Sequence, residues 1–324
     1  MQVRLLFQVL LNILIVFILI LFSFRESGLD YHAYMMEFYE PIKYSVSNEF
    51  GYKLLIKALN PFFDFWVLLI ICNFIFYLGH RKILNSLYEP IQILVFLIYF
   101  VYLSVFLILG SPRRLVANSI VVWIVYREFS VGARNINYLY ALIASLFHTS
   151  SIVIIPIVYF LRKKVSEWLS VINFFKLIIA CFIGIMLLRF LGVIDVIFLK
   201  VEYYLVYSIN EQEYLKEVPS VYSGFAKRCV SLFLMWWVIR RWDRSSYVLA
   251  LGLIELIFYT VLGYFSPVLA VVATYFSICY ILPFTMSEYR RSRYSSKIIL
   301  LMSVIVYFLP TIVGLIKIFG STYV

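Results

Sequence analysis

The residues of this chain able to do chemistry are few, and most are basic. Gly110-Ser111-Pro112-Arg113-Arg114 sets two arginines at a helix start, after a Ser-Pro turn. Guanidinium groups beside the free N–H groups of a helix start suit a phosphate or pyrophosphate. They also suit lipid headgroups, or the acids of a nearby loop. Arg189 and Arg228 lie inside apolar runs, where a charge is costly and calls for a reason. Two reasons are open: a cavity shared with Arg113 and Arg114, or snorkelling to the interface. His148 stands in Leu146-Phe147-His148-Thr149-Ser150-Ser151, beside three hydroxyl residues. An imidazole there suits a hydrogen bond to a phosphate or a sugar hydroxyl, or plain packing. Asp30 and Glu49 lie on the first of the expected outer loops. Glu255 lies in the middle of an apolar run with no base close in sequence. It is either neutral and hydrogen-bonded or paired with a distant arginine such as Arg189.

Other chemistries leave no trace. There is no P-loop or dinucleotide fingerprint and no G-x-S-x-G elbow. No His/Cys/Asp cluster has metal-ligand spacing. Cys72, Cys181, Cys229 and Cys279 fall in apolar runs at unrelated spacings and read as small packing residues. No cofactor and no metal are expected.

The elements that position these residues are membrane helices. Of 324 residues, 64% are hydrophobic and only 14% are charged, against about half and about a quarter in soluble domains. Aromatic content is high, with 27 Tyr and 30 Phe, and Tyr favours the membrane–water interface, where its ring is buried and its hydroxyl stays wet. The net charge of +11 fits basic cytoplasmic loops better than nucleic acid, which is not expected as a partner. Apolar runs occupy 5–24, 60–79, 88–109, 115–131, 137–148, 151–161, 171–194, 222–239, 246–265, 267–285 and 298–318. The expected fold is therefore an all-α polytopic membrane protein of about 10–11 transmembrane helices, forming one domain over 1–324. The first run is too long for a signal-peptide core and lacks an A-x-A-like cleavage site, so it is expected to stay as a helix.

Charge arbitrates the awkward pair 137–148 and 151–161, each too short to span alone. With the N-terminus cytoplasmic and these two forming a hairpin at His148-Thr149-Ser150, five basic clusters fall inside. They are Arg81-Lys82, Arg127/Arg134, Arg162-Lys163-Lys164, Arg240-Arg241/Arg244 and Arg290-Arg291/Arg293/Lys297. A single crossing would send the last three outward, against the positive-inside rule. The hairpin is preferred, and its turn is a candidate site wall, since irregular backbone at membrane depth must be buried or line a cavity. Outer loops are then expected at about 25–59 and 195–221. In the first, Tyr31, Tyr34, Met35, Phe38 and Ile42 recur at helical spacing, an amphipathic helix lying in the interface. Glu49, Lys53 and Lys57 step by four, a solvated charge ladder.

In order along the first half, several segments resemble the EpsG-type branch of the Wzy polysaccharide polymerases. They are Arg25 with Gly28-Leu29-Asp30-Tyr31 and Tyr34, then Asn48-Glu49-Phe50-Gly51-Tyr52-Lys53-Leu54-Leu55, then Arg113-Arg114-Leu115-Val116-Ala117, then Phe147-His148-Thr149-Ser150. The chain departs from that pattern at Arg114, where Gln is common, and at Phe50, where Pro is expected. The second half matches only in helix pattern and in its Tyr-rich outer loop. The resemblance implies a GT-C-like glycosyltransferase of the bacterial inner membrane with its site facing the periplasm or exterior. A glycan on undecaprenyl pyrophosphate would pass to another lipid-linked repeat unit, and the lipid pyrophosphate would leave. Donor and acceptor lipids are the implied partners, besides membrane lipid, and a chain-length regulator protein is compatible with the resemblance.

Such a reaction needs cations on the leaving pyrophosphate and a base or orienting acceptor for the attacking hydroxyl. On this scheme Arg113, with Arg25, Arg114, Arg189 or Arg228, holds the pyrophosphate. His148 orients phosphate or acceptor, and Asp30 or Glu49 is the base. Tyr31, Tyr52, Tyr203 and Tyr204 offer faces to sugars. The rival readings are an O-antigen ligase, which usually has a larger outer loop, and a flippase or transporter for lipid-linked glycan, which would need a basic path across the membrane. A membrane acyltransferase is less fitting, because it often relies on a cytoplasm-accessible His or Arg.

Overall fold

The computed structural model describes residues 2–26, 30–44, 49–132, 134–162, 221–265 and 271–321, and every regular element among them is helical. The chain divides into two compact units, 1–162 and 163–324.

In the first unit, α1 spans Gln2–Ser23, and short helices α2 (Tyr31–Tyr39) and α3 (Phe50–Leu59) follow. Then come α4 (Phe65–Ser86) and α5 (Pro90–Leu103), which runs on through a π turn at Ser104–Ile108. The long α6 (Pro112–Val131) is followed by α7 (Ile136–Phe147), a 3-10 turn at Thr149–Val153 and α8 (Ile154–Arg162). Helix α4 packs on α1 and α6, and α6 also packs on α7. Pro90 and Pro112 each open a helix at its first position, where the missing N–H is not needed. Gly132 closes α6 at a φ of 90° that a side chain would resist.

The hairpin expected from charge is present. His148 takes an extended conformation (φ −154°, ψ 113°) that ends α7. The chain then returns, so that Arg162 reaches the residues just before α7. Its Nη2 donates to the Arg134 carbonyl at 2.5 Å and its Nε to both Glu128 oxygens at 3.1 and 3.2 Å. Asn137 donates to the same carboxylate at 2.7 Å.

The second unit contains α9 (Val221–Ile239), α10 (Ser245–Phe265), a 3-10 stretch at Val271–Tyr280, short helices α11 (Leu282–Thr285) and α12 (Ser287–Arg291), and α13 (Tyr294–Ser321). Helix α9 packs on α10 and α13, and the 3-10 stretch packs on α10.

Among the described residues, four helical segments are long and apolar enough to cross a membrane: Leu6–Ser23, Phe65–Ser86, Ser245–Gly263 and Tyr294–Gly314. On α1, Leu10, Ile13, Phe17 and Leu21 are each more than half exposed, an apolar face suited to lipid. Two expectations need correction. Of the run 267–285, the described residues 271–285 form no single α-helix: Pro283 lacks the N–H that would continue one, and the chain breaks into the 3-10 stretch and α11. Ile42 does not extend the α2 face, because Pro41 follows the end of the helix and leaves Ile42 fully exposed. The run 171–194 and the loop 195–221, save its last residue, lie outside the described residues.

Candidate functional site

Three of the chemistry-bearing residues meet, although they come from distant segments of the first unit. Arg113 is the second residue of α6. Its Nη1 donates to Glu49 Oε2, and its Nε donates to the Tyr34 hydroxyl at 2.8 Å. Glu49 immediately precedes α3, and its other oxygen, Oε1, stands 3.1 Å from His148 Nδ1. The Tyr34 hydroxyl shares a further hydrogen bond of 2.7 Å with Ser111 Oγ, the residue before α6. Arg113 and His148 each keep about 17% of their side chains exposed, while Glu49 keeps 8%. The cluster is thus sheltered, with its arginine and its histidine partly open.

Local sequence explains how these groups arrive. Pro112 has no N–H to give the Ile108 carbonyl, which is left without its helical donor. Arg25, just past α1, supplies one from Nη1, and its Nη2 lies 3.5 Å from the Gly110 carbonyl. Arg25 therefore ties the end of α1 to the turn that presents Arg113. Gly51 does the same for the other side. A Cβ there would stand 3.0 Å from the Leu146 carbonyl oxygen, so glycine lets α3 lie close on α7 and brings Glu49 beside His148.

Charge within the cluster is lopsided. Burial opposes ionisation of Glu49, but the His148 hydrogen bond and the Arg113 guanidinium outweigh it and hold the carboxyl down at about 2. Burial draws the His148 imidazole below its usual 6.5, against the Glu49 hydrogen bond, and the charges of Arg114 and Arg113 push the same way as burial. At neutral pH, then, Glu49 is an anion and His148 is neutral. A carboxylate only accepts, so Nδ1 carries the imidazole proton and Nε2 keeps its lone pair. An acid that holds a histidine in one tautomer, next to arginine, can polarise a hydroxyl and stabilise a developing phosphate charge together.

Other expected site residues take different places. Glu49 is not part of a solvated ladder: it is buried, because its ion pair outweighs its i+4 neighbour Lys53. Its partnership with Arg113 is the acid pairing left open for that arginine. Arg114 is half-buried, and its Nε meets no acceptor among the described residues. Asp30 precedes α2, makes no side-chain cap and is not bonded to the cluster. Tyr31 sets its ring edge-on to Phe65 at 5.4 Å. Tyr52 is fully buried edge-to-face with Tyr34, so its ring offers no open face to a sugar here. Arg228 lies in the second unit and is 5% exposed. Its Nε donates to Glu255 Oε1 at 2.7 Å, so Glu255 pairs with Arg228 within that unit. Arg189, Tyr203 and Tyr204 lie outside the described residues. Tyr34 and Ser111 were not singled out as site residues. Tyr34 belongs to a motif and to the amphipathic face expected to lie in the interface, and its helical phase with Phe38, also buried, is the signal that it faces inward. Among the described residues no group of three side chains could hold a metal ion.

An all-helical, apolar chain with four segments able to cross a membrane belongs to the class of helical membrane proteins. The EpsG family model matches residues 8–323, nearly the whole chain, and the protein belongs to the EpsG family. It is thereby a membrane protein of polysaccharide-polymerase type. No curated protein and no solved structure matches the chain.

Proposed function

We propose that this protein polymerises lipid-linked oligosaccharide repeat units, with undecaprenyl pyrophosphate as the leaving group, at the periplasmic or outer face of the inner membrane. The GT-C-like reading of the fold belongs to the same proposal. The observation that carries it is the Arg113–Glu49–His148 chain, whose members lie 64 and 99 residues apart yet bond directly.

In the proposed reaction the acceptor sugar hydroxyl attacks the anomeric carbon of the donor. The new carbon–oxygen bond forms as the bond to the pyrophosphate oxygen breaks. His148 Nε2 takes the hydroxyl proton, with Glu49 holding the ring and balancing the imidazolium. Arg113, through N–H groups not used by Glu49 and Tyr34, and Arg114 face the departing pyrophosphate. The proton then leaves His148 for the pyrophosphate or water. Glu49, held down at about 2, is a poor base, so it acts through His148. Asp30 remains a second acid near Arg25 and Tyr34. Donor and acceptor lipids are the proposed partners, together with a chain-length regulator.

The test is reconstitution of purified protein with a synthetic undecaprenyl-pyrophosphate repeat unit. Polymer ladders are expected from the parent, and losses of roughly a hundredfold or more from Arg113→Ala and His148→Ala. Normal ladders from both variants at equal protein levels would refute the scheme. Translocation in vesicles without ladders would instead favour a flippase.

A further inference from the structure

A second polar feature of the first unit has no part in the cluster above. Helices α4 and α6 nearly touch at Gly79, where a Cβ would stand 2.5 Å from the Ser119 carbonyl oxygen. Beside this contact is a cavity of about 680 Å³. Arg81, Lys82, Arg127 and Arg134 line it, and among the described residues its wall contains no acid. The nearby acid Glu128 is already taken by Arg162 and Asn137. Among the described residues none of the four cations makes an ion pair. Two are held against aromatic faces instead. Lys82 Nζ lies 4.9 Å from the Trp123 ring centre, and Arg127 lies 5.6 Å from Trp123 and 5.8 Å from Tyr140.

The wall changes character along both helices. On α4 the lining passes from Ile75 through Gly79 to Lys82, and on α6 from Ile120 through Trp123 to Arg127. Each set steps at helical spacing, so each is one face. From Ile75 to Lys82 the rise is about 10 Å. Because α4 is long and apolar enough to span a membrane, that gradient descends from headgroup depth into hydrocarbon. A soluble anion would use the cations and leave the apolar end idle.

We propose that this cavity binds an anionic phospholipid, with its phosphate among Lys82, Arg127 and Arg134 and an acyl chain along Ile75 and Ile120. Four cations without an acid favour an anionic headgroup, and basic pockets between membrane helices are suited to such lipids. The clustering of basic residues places this end on the cytoplasmic side. The proposal does not rest on the glycosyl-transfer scheme.

The experiment titrates the purified full chain, in detergent, with dioctanoyl phosphatidylglycerol, dioctanoyl phosphatidylcholine and inorganic phosphate, reading bound lipid by native mass spectrometry and stability by thermal shift. Phosphatidylglycerol is expected to bind at least about fivefold more tightly than phosphatidylcholine, and Arg127→Gln/Arg134→Gln to weaken it about tenfold or more. Arg127→Lys/Arg134→Lys keeps the charge and should retain most of the binding, which separates charge loss from misfolding. Equal binding of the two lipids, or parent-like binding by the Gln pair, would overturn the proposal. So would inorganic phosphate binding as tightly as the lipid, which would mark a site for soluble phosphate.

Discussion

Arg113–Glu49 in the first unit and Arg228–Glu255 in the second are both sheltered arginine–carboxylate pairs, and the two are built differently. In the second unit Arg228 and Glu255 sit on consecutive helices, α9 and α10. Glu255 Oε1 also accepts the Tyr307 hydroxyl at 2.6 Å, Arg228 donates to the Gly224 carbonyl at 3.1 Å, and the Tyr259 ring lies 3.3 Å from the guanidinium centre. The side chains are 6% and 0% exposed. In the first unit Arg113 and Glu49 come from a helix start and a loop end, and the pair continues to a histidine with a free ring nitrogen. A charge pair enclosed on every side can hold helices together but meets no ligand. A pair that leads to a partly open imidazole and two arginines can act on one. On the proposed scheme the same residue types serve packing in one unit and chemistry in the other.

The largest expected effects would break this contrast if they came out alike. Arg113→Ala should cost roughly a hundredfold or more in polymer formation, with a smaller fall in thermal midpoint than Arg228→Ala, because Glu49 keeps its His148 bond and some exposure. Arg228→Ala should act the other way, costing about 3–5 kcal/mol of stability, because Glu255 is left as a buried, uncompensated charge. Arg228→Met/Glu255→Met should recover much of that loss. Thermal melts beside ladder assays check both, and a stable but inactive Arg228→Ala protein would place that arginine with the substrate after all.

Acidity probes the first cluster next. His148 is held neutral below its usual 6.5 by burial and by Arg114 and Arg113. As a base it works only when unprotonated, so activity should be flat above pH 6.5 and fall on an acid limb below it. Stability has the same sign: the unfolded chain binds the proton first, so stability drops as pH falls below 6.5. Glu49 adds stability that is full above 4.5 and is lost as pH falls toward about 2. Glu49→Gln removes the group that raises the His148 pKa. The acid limb should then move to lower pH while the maximal rate falls about tenfold or more. A limb that stayed in place would remove His148 as the titrating base.

How far these contrasts were legible in the sequence varies with the interaction involved. Helices such as α1 and α10 follow from apolar runs, since lipid-facing and packing surfaces are both apolar. The His148 hairpin followed from charge, because one missed turn would have reversed three basic clusters. Arg113, Glu49 and His148 were each recognisable by type, yet their joining was not. Glu49 was read with Lys53 and Lys57 because i,i+4 spacing is visible along a chain, while a bond to Arg113 across 64 residues is not. The approach of Gly51 to Leu146 is equally invisible. The Arg228–Glu255 pair was within reach: the two residues stand at about equal distances on either side of the 240–244 connection, which sets them level across an antiparallel helix pair.

The smallest effects sharpen the comparison most, because one atom is removed from each pair. Tyr34 accepts from Arg113 Nε and bonds Ser111, while Tyr307 donates to Glu255. Both hydroxyls are buried, and losing either should cost about 1–3 kcal/mol where a charged partner is left short of a bond. The two costs should appear in different measurements. In Tyr307→Phe the loss is in the enclosed network, so the thermal midpoint falls and polymer yield per folded protein holds. In Tyr34→Phe the guanidinium of Arg113 keeps Glu49 but loses the bond that fixes its plane. Its aim at a phosphate loosens, and the rate should fall several-fold with a smaller change in melting than Tyr307→Phe. If Tyr34→Phe changed only melting, Arg113 would be another packing arginine, and the two units would differ in exposure without differing in role.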